Sequence, residues 1–116
     1  MKIRTLYQKV QDLEKAKAFW TSFLDQQPAL SSANWCSFQL ENLNFALLLN
    51  DFGDELKGSN AVPVFEFAEN ELEPTLQRAK SLGAIVVLDG LKEPKMKSIV
   101  FKDPSGNEFE ISLLHS

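Results

Sequence analysis

The order strand, helix, strands occurs twice along this chain, and that internal repeat restricts the possible folds more than any other feature. In the first half, "IRTLYQKV" (3–10) alternates as a strand, with Leu6 and Val10 on one face and Thr5, Tyr7 and Lys9 on the other. "QDLEKAKAFWTSFLDQQP" has helical period, and Leu13, Ala16, Phe19, Trp20, Phe23 and Leu24 form one apolar stripe. Asp12 suits the N-cap, Glu14 suits the first turn, and Pro28 closes the segment. Two strands follow, "NWCSFQL" (34–40) and "NFALLL" (44–49), joined by the turn "ENLN". Residues 51–60, "DFGDELKGSN", read as a loop or linker.

The second half repeats the order. "AVPVFEF" (61–67) alternates as a strand, and "ENELEPTLQRAKSLGA" is an amphipathic helix with Leu72, Leu76, Ala79 and Leu82 on one face. Gly83 is placed to end that helix, and Pro74 is tolerated only in its first turn. "AIVVL" (84–88) is a strand and "DGLKEPKMK" a loop. "SIVF" (98–101) and "EFEISLL" (108–114) then form a hairpin around "DPSGN".

Each half alone leaves a helix and one sheet face poorly covered. The expectation is therefore an α+β fold of two paired βαβββ modules, forming a curled mixed sheet around a cleft with the helices outside. Module one spans about 1–50, the linker 51–60 and module two 61–116, all within one domain of 116 residues.

Composition removes several function classes. Net charge is −4 and no basic run exists, so nucleic acid is not an expected partner. The longest apolar run, Phe45 to Leu49, is too short to span a bilayer, so no membrane role is expected. "MKIRTLYQKV" lacks the apolar core of a signal peptide, and a single cysteine, Cys36, cannot form an internal disulfide; a cytoplasmic setting is the expectation. With one histidine, the penultimate His115, neither a zinc centre of typical ligand number nor a Ser–His or Cys–His catalytic pair is expected.

Two stretches carry a likeness to a known family. "VQDLEKAKAFWTSFL" (10–24) resembles the strand-to-helix segment, and "DPSGNEFEI" (103–111) the D-P-x-G-N-x-x-E-[LI] ending, of the vicinal oxygen chelate superfamily. That superfamily includes glyoxalase I, extradiol dioxygenases, and fosfomycin and bleomycin resistance proteins. The resemblance implies four inward-facing ligand positions in metal-dependent members, and these fall here on Thr5, Ala46, Val62 and Glu110. Only Glu110 is a ligand type, so metal catalysis of the glyoxalase or dioxygenase kind is not expected. The character is closest to the metal-free, bleomycin-resistance-like branch, in which antibiotic resistance and homodimers with shared clefts occur.

Period two from those positions adds strand-mates to the inward set. The ligand-binding candidates are Thr5, Tyr7, Trp35, Ser37, Ala46, Leu48, Val62, Glu66, Ser98 and Glu110. Aromatic rings, small aliphatics, hydroxyls and two carboxylates suit an organic-ligand pocket. Each has a plain alternative: Glu110 as a solvated acid or paired with Lys9, Tyr7 and Trp35 as rim or dimer contacts. Trp20 and Cys36 read as core. Three functions remain open. The first is a binding protein without metal, catalytic residues or cofactor, sequestering an organic, cationic or aromatic small molecule as a homodimer. The second is a metal-dependent glyoxalase-type lyase or isomerase using Glu110. The third is an interaction module with no small ligand.

Overall fold

The computed structural model describes residues 3–51 and 61–113. The expected linker from 52 onward, the end of the last strand and His115 lie outside the described residues. The chain divides into two compact units, Met1–Lys57 and Gly58–Ser116, and the division falls within the stretch expected to link the modules.

The first unit contains β1 (Thr5–Val10), α1 (Leu13–Leu24), β2 (Leu30–Ser31), β3 (Trp35–Gln39) and β4 (Asn44–Leu49). Its sheet has the order β1-β4-β3-β2, with β1 parallel to β4 and the other pairs antiparallel. A parallel pair needs a crossover, and α1 supplies it. Asp12 caps the helix as expected, its Oδ1 accepting from the Lys15 N–H at 3.0 Å. The helix stops before Pro28, because Asp25 turns left-handed (φ 53°) and its N–H closes on the Thr21 carbonyl.

The register sorts the strand residues by face. Leu6, Phe45 and Phe38 align across the sheet, as do Gln8, Leu47 and Cys36. Trp20 meets Phe45 at a ring separation of 4.6 Å, so the buried stripe of α1 lies on that face. Cys36 is buried there, and burial pushes its thiol pKa up from the ordinary value, with Lys17 of α1 opposing. An inert, protonated thiol follows. The two-residue β2 went unforeseen, since both residues are exposed and a pair of residues has no periodicity.

The second unit contains β5 (Val64–Phe67), α2 (Glu69–Ser81), β6 (Ile85–Gly90), β7 (Ser98–Lys102) and β8 (Glu108–Leu113). Its sheet repeats the topology as β5-β8-β7-β6, with β5 parallel to β8. Phe65 and Ile111 pair with Ile99 in one row, and Phe109 with Phe101 in the next. These side chains form the apolar face, with Phe101 and Phe109 stacked at 5.6 Å. Gly83 takes φ +95° just beyond α2, in the expected terminating role.

Two of the boundaries that differ from expectation turn on a proline. β5 begins at Val64 rather than residue 61, because Pro63 has no N–H to donate; its carbonyl still accepts from the Glu110 N–H at 2.9 Å. α2 begins at Glu69, which makes Pro74 its sixth residue and places it beyond the first turn. There the Asn70 carbonyl lacks its usual i+4 donor, and an interior helical proline costs about 3 kcal/mol. Pro74→Ala is expected to stabilise the protein by about 1–2 kcal/mol, part of the gain being offset by a freer unfolded chain. An unchanged or lowered urea midpoint would contradict this account of the helix.

Neither helix, among the described residues, is long and apolar enough to cross a membrane.

Candidate functional sites

Opposite its apolar, buried face, each sheet has a more open face, and the expected residues divide between these two open faces. In the first sheet, Tyr7 pairs with Ala46 and Ala46 with Ser37, while Lys9, Leu48 and Trp35 form the next row. Thr5 stands one row away, opposite Asn44. Thr5, Tyr7, Trp35, Ser37, Ala46 and Leu48 therefore share one face, as period two requires.

The buried Ala46 and Ser37 carry little bulk, which leaves room for the two rings above them. Tyr7 and Trp35 meet at a centroid distance of 5.8 Å and an angle of 59°. Such tilted pairs hold each other in place and still present ring surface. Beside them lies an open cavity of about 560 Å³ lined by Ile3, Arg4, Thr5, Tyr7 and Trp35. A smaller hollow of about 250 Å³ sits over the turn at 40–43 and includes none of the expected site residues.

In the second sheet, Val64, Glu110, Val100 and Leu88 form one row across all four strands. The next row is Glu66, Ser112, Ser98 and Gly90. Glu66, Ser98 and Glu110 thus share one face, and Ser98, only 1% exposed, donates its hydroxyl to Glu110 Oε2 at 2.8 Å. Val62 stands before β5 and is exposed, in the chain leading into that strand.

The registers also support the internal alignment behind these positions. Phe38 pairs with Phe45 in one hairpin, and Phe101 with Phe109 in the other, which makes Ala46 the counterpart of Glu110. The parallel partners of those two, Tyr7 and Val64, then correspond, and so do Thr5 and Val62 two residues earlier.

Neither unit offers a divalent metal enough donors at these positions. Thr5 and Ala46 in the first unit bring one hydroxyl and an aliphatic group; Val62 and Glu110 in the second bring an aliphatic group and one carboxylate, an oxygen of which already accepts from Ser98. A metal centre typically needs about three or four such ligands. Among the described residues no three His, Cys, Asp or Glu side chains gather into a metal-holding group.

Three residues of the second face were missed. Leu88 enters the Glu110 row because β6 has a bulge between Val86 and Leu88, which shifts its parity by one residue. Gly90 stands next to Ser98, and a Cβ there would collide with Met96 Sδ; the Met96 thioether therefore covers Gly90 on this same face. No period in the sequence announces either feature.

Two units of this topology, each a βαβββ arrangement with a four-stranded mixed sheet, define the vicinal oxygen chelate class. A family model described as a glyoxalase-like domain matches residues 5–112, and the chain belongs to that family. None of the curated proteins matches it. Among solved structures it is similar to a protein of Agrobacterium tumefaciens, with TM-score 0.84, 14% identity, and coverage of 100% of this chain and 99% of that one. It is also similar to a glyoxalase-related enzyme from Fulvimarina pelagi, with TM-score 0.81, 18% identity, and coverage of 98% and 88%. A third is a mutant of the fosfomycin resistance protein FosX from Listeria monocytogenes, complexed with Mn(II) and 1S,2S-dihydroxypropylphosphonic acid. It matches with TM-score 0.72, 24% identity, and coverage of 97% and 87%. At these identities the likeness is one of fold.

Proposed function

We propose that this protein binds a small organic molecule, cationic or aromatic, without a metal and without making or breaking bonds. The observation that carries the reading is the chemistry of the four equivalent positions: Thr5, Ala46 and Val62 leave Glu110 as the one ligand-type side chain. What remains on the open faces is a ring pair over small residues and an acid set among aliphatic groups. Apolar walls with a few placed polar groups are how such ligands are held. Sequestration, as by a resistance protein, needs nothing more, and a homodimer fits the same reading.

A thermal-shift screen crossing divalent metals with aromatic and cationic compounds tests it. Stabilisation by an organic compound in the presence of chelator is the expected result, because a ligand of the folded state raises the melting point by mass action. Stabilisation only with added Mn, Ni, Zn or Fe would instead favour the glyoxalase-type enzyme. For an aromatic ligand found in this way, Trp35→Ala is expected to weaken binding roughly 3- to 10-fold, the worth of one ring contact. Calorimetry on variant and parent measures that ratio, and equal affinities would remove the ring pair from the site.

A further inference from the structure

Glu110 sits in the middle of an apolar row. Its lateral neighbours are Val64 and Val100, and Leu88 follows Val100. Val64 is 54% exposed and Leu88 53%, so aliphatic surface is open to solvent on both sides of the acid. A carboxylate with no function is more cheaply placed among polar neighbours, because desolvation beside apolar groups penalises the charge. Ser98 is the second observation. It is almost wholly buried, its hydroxyl is directed to Glu110 Oε2, and the Met96 side chain lies over the adjacent Gly90. A buried donor in the adjacent row holds the carboxylate in one orientation and leaves Oε1 as the free acceptor, a charge-assisted arrangement.

Resting on the binding reading above, we propose that this face of the second sheet is a seat for an aliphatic ammonium group. The N–H donors of a primary or secondary amine meet Glu110 Oε1, and its alkyl chain lies along Val64, Val100 and Leu88. Ser98 acts as a positioning residue for the acid. The charge of the seat selects against carboxylates and phosphates, and its aliphatic flanks select against small hydrophilic cations. The aromatic pair of the first unit takes no part in this contact, so the ligand class follows from the second unit alone.

Hexylammonium, 1-hexanol and hexanoate, three probes of one chain length and different charge, are titrated into the full isotope-labelled chain and followed by amide chemical shifts. Hexylammonium is expected to give saturable shifts at Val64, Leu88, Val100 and Glu110, and the other two are expected to give none. Glu110→Gln, nearly the same shape, is expected to weaken hexylammonium about 10- to 100-fold, the worth of one hydrogen bond to a charged group. Ser98→Ala is expected to weaken it severalfold, and Ser98→Thr, which keeps the hydroxyl, to restore it; the spectra report whether each variant is folded. Equal binding of hexanol, or unchanged affinity in Glu110→Gln, would overturn the ammonium seat and leave a small-molecule site of another class standing. No shift from any of the three probes would also overturn the seat, and the metal-free screen would then decide the broader reading by itself.

Discussion

Trp20→Ala is expected to lower the free energy of unfolding by about 3–5 kcal/mol, the cost of deleting a fully buried large aromatic side chain. Trp20 is 0% exposed and its ring meets those of Phe19 at 5.1 Å, Phe23 at 5.7 Å and Phe45 at 4.6 Å. The Phe45 contact matters most, because it joins the helix to the sheet, whereas the other two lie within α1. A small domain has only about 5–15 kcal/mol of total stability, so the variant stands near the edge of folding. Urea unfolding followed by circular dichroism gives the value where the variant folds. If it does not, Trp20→Phe keeps most of the apolar volume and is expected to cost about 1–2 kcal/mol. A loss below 1 kcal/mol in Trp20→Ala would mean that α1 does not lie on the Phe45 face.

That tryptophan was legible as core because a helical stripe repeats over enough residues to reveal its period. The same holds for the strand faces. Phe38, Phe45, Phe101 and Phe109 alternate with small or polar residues, and the observed registers put them on the buried faces. The features that stayed hidden are those that interrupt a period. The β6 bulge moves Leu88 onto the face of Ile85, although strict alternation from Ile85 would place Val87 there. β2 is too short to show alternation, and Pro74 lies in a helix position that propensity opposes. The candidate site follows the same division. Glu110 and Ser98 were readable as members of one face, but not their hydrogen bond, the near-complete burial of Ser98, or the Met96 side chain lying against Gly90. A contact of that kind, between a loop and a bare strand position, leaves no mark in residue spacing.

Asp103→Ala is expected to cost about 3 kcal/mol and to disturb the site at a distance. The buried Asp103 Oδ1 accepts from the Ser105 and Asn107 N–H groups, both at 2.9 Å, while the Asp103 N–H donates to the Asn107 carbonyl at 2.8 Å. Hydrogen bonds to a charged group contribute roughly 1.5–3 kcal/mol each, and alanine leaves the buried Asn107 N–H without its acceptor. Asp103→Asn keeps an oxygen in place and is expected to lose about half as much. Gly106, in the same turn, separates backbone strain from lost acceptors. Its φ is +89° and a Cβ would meet nothing within 4 Å, so Gly106→Ala costs only conformation, about 1–2 kcal/mol. The turn also sets where β8 begins, pairing Glu108 with Lys102 and therefore Glu110 with Val100. A slip of one residue would turn Glu110 to the phenylalanine face. The D-P-x-G-N stretch is thus the clamp that delivers the acid to the open face, rather than a reacting group itself. Urea midpoints for the three variants should fall in the order Gly106→Ala, Asp103→Asn, Asp103→Ala or with the first two together, with Asp103→Ala clearly lowest. Were Asp103→Ala no less stable than Asp103→Asn, the clamp would not depend on that oxygen, and the turn would have to be held by glycine conformation alone.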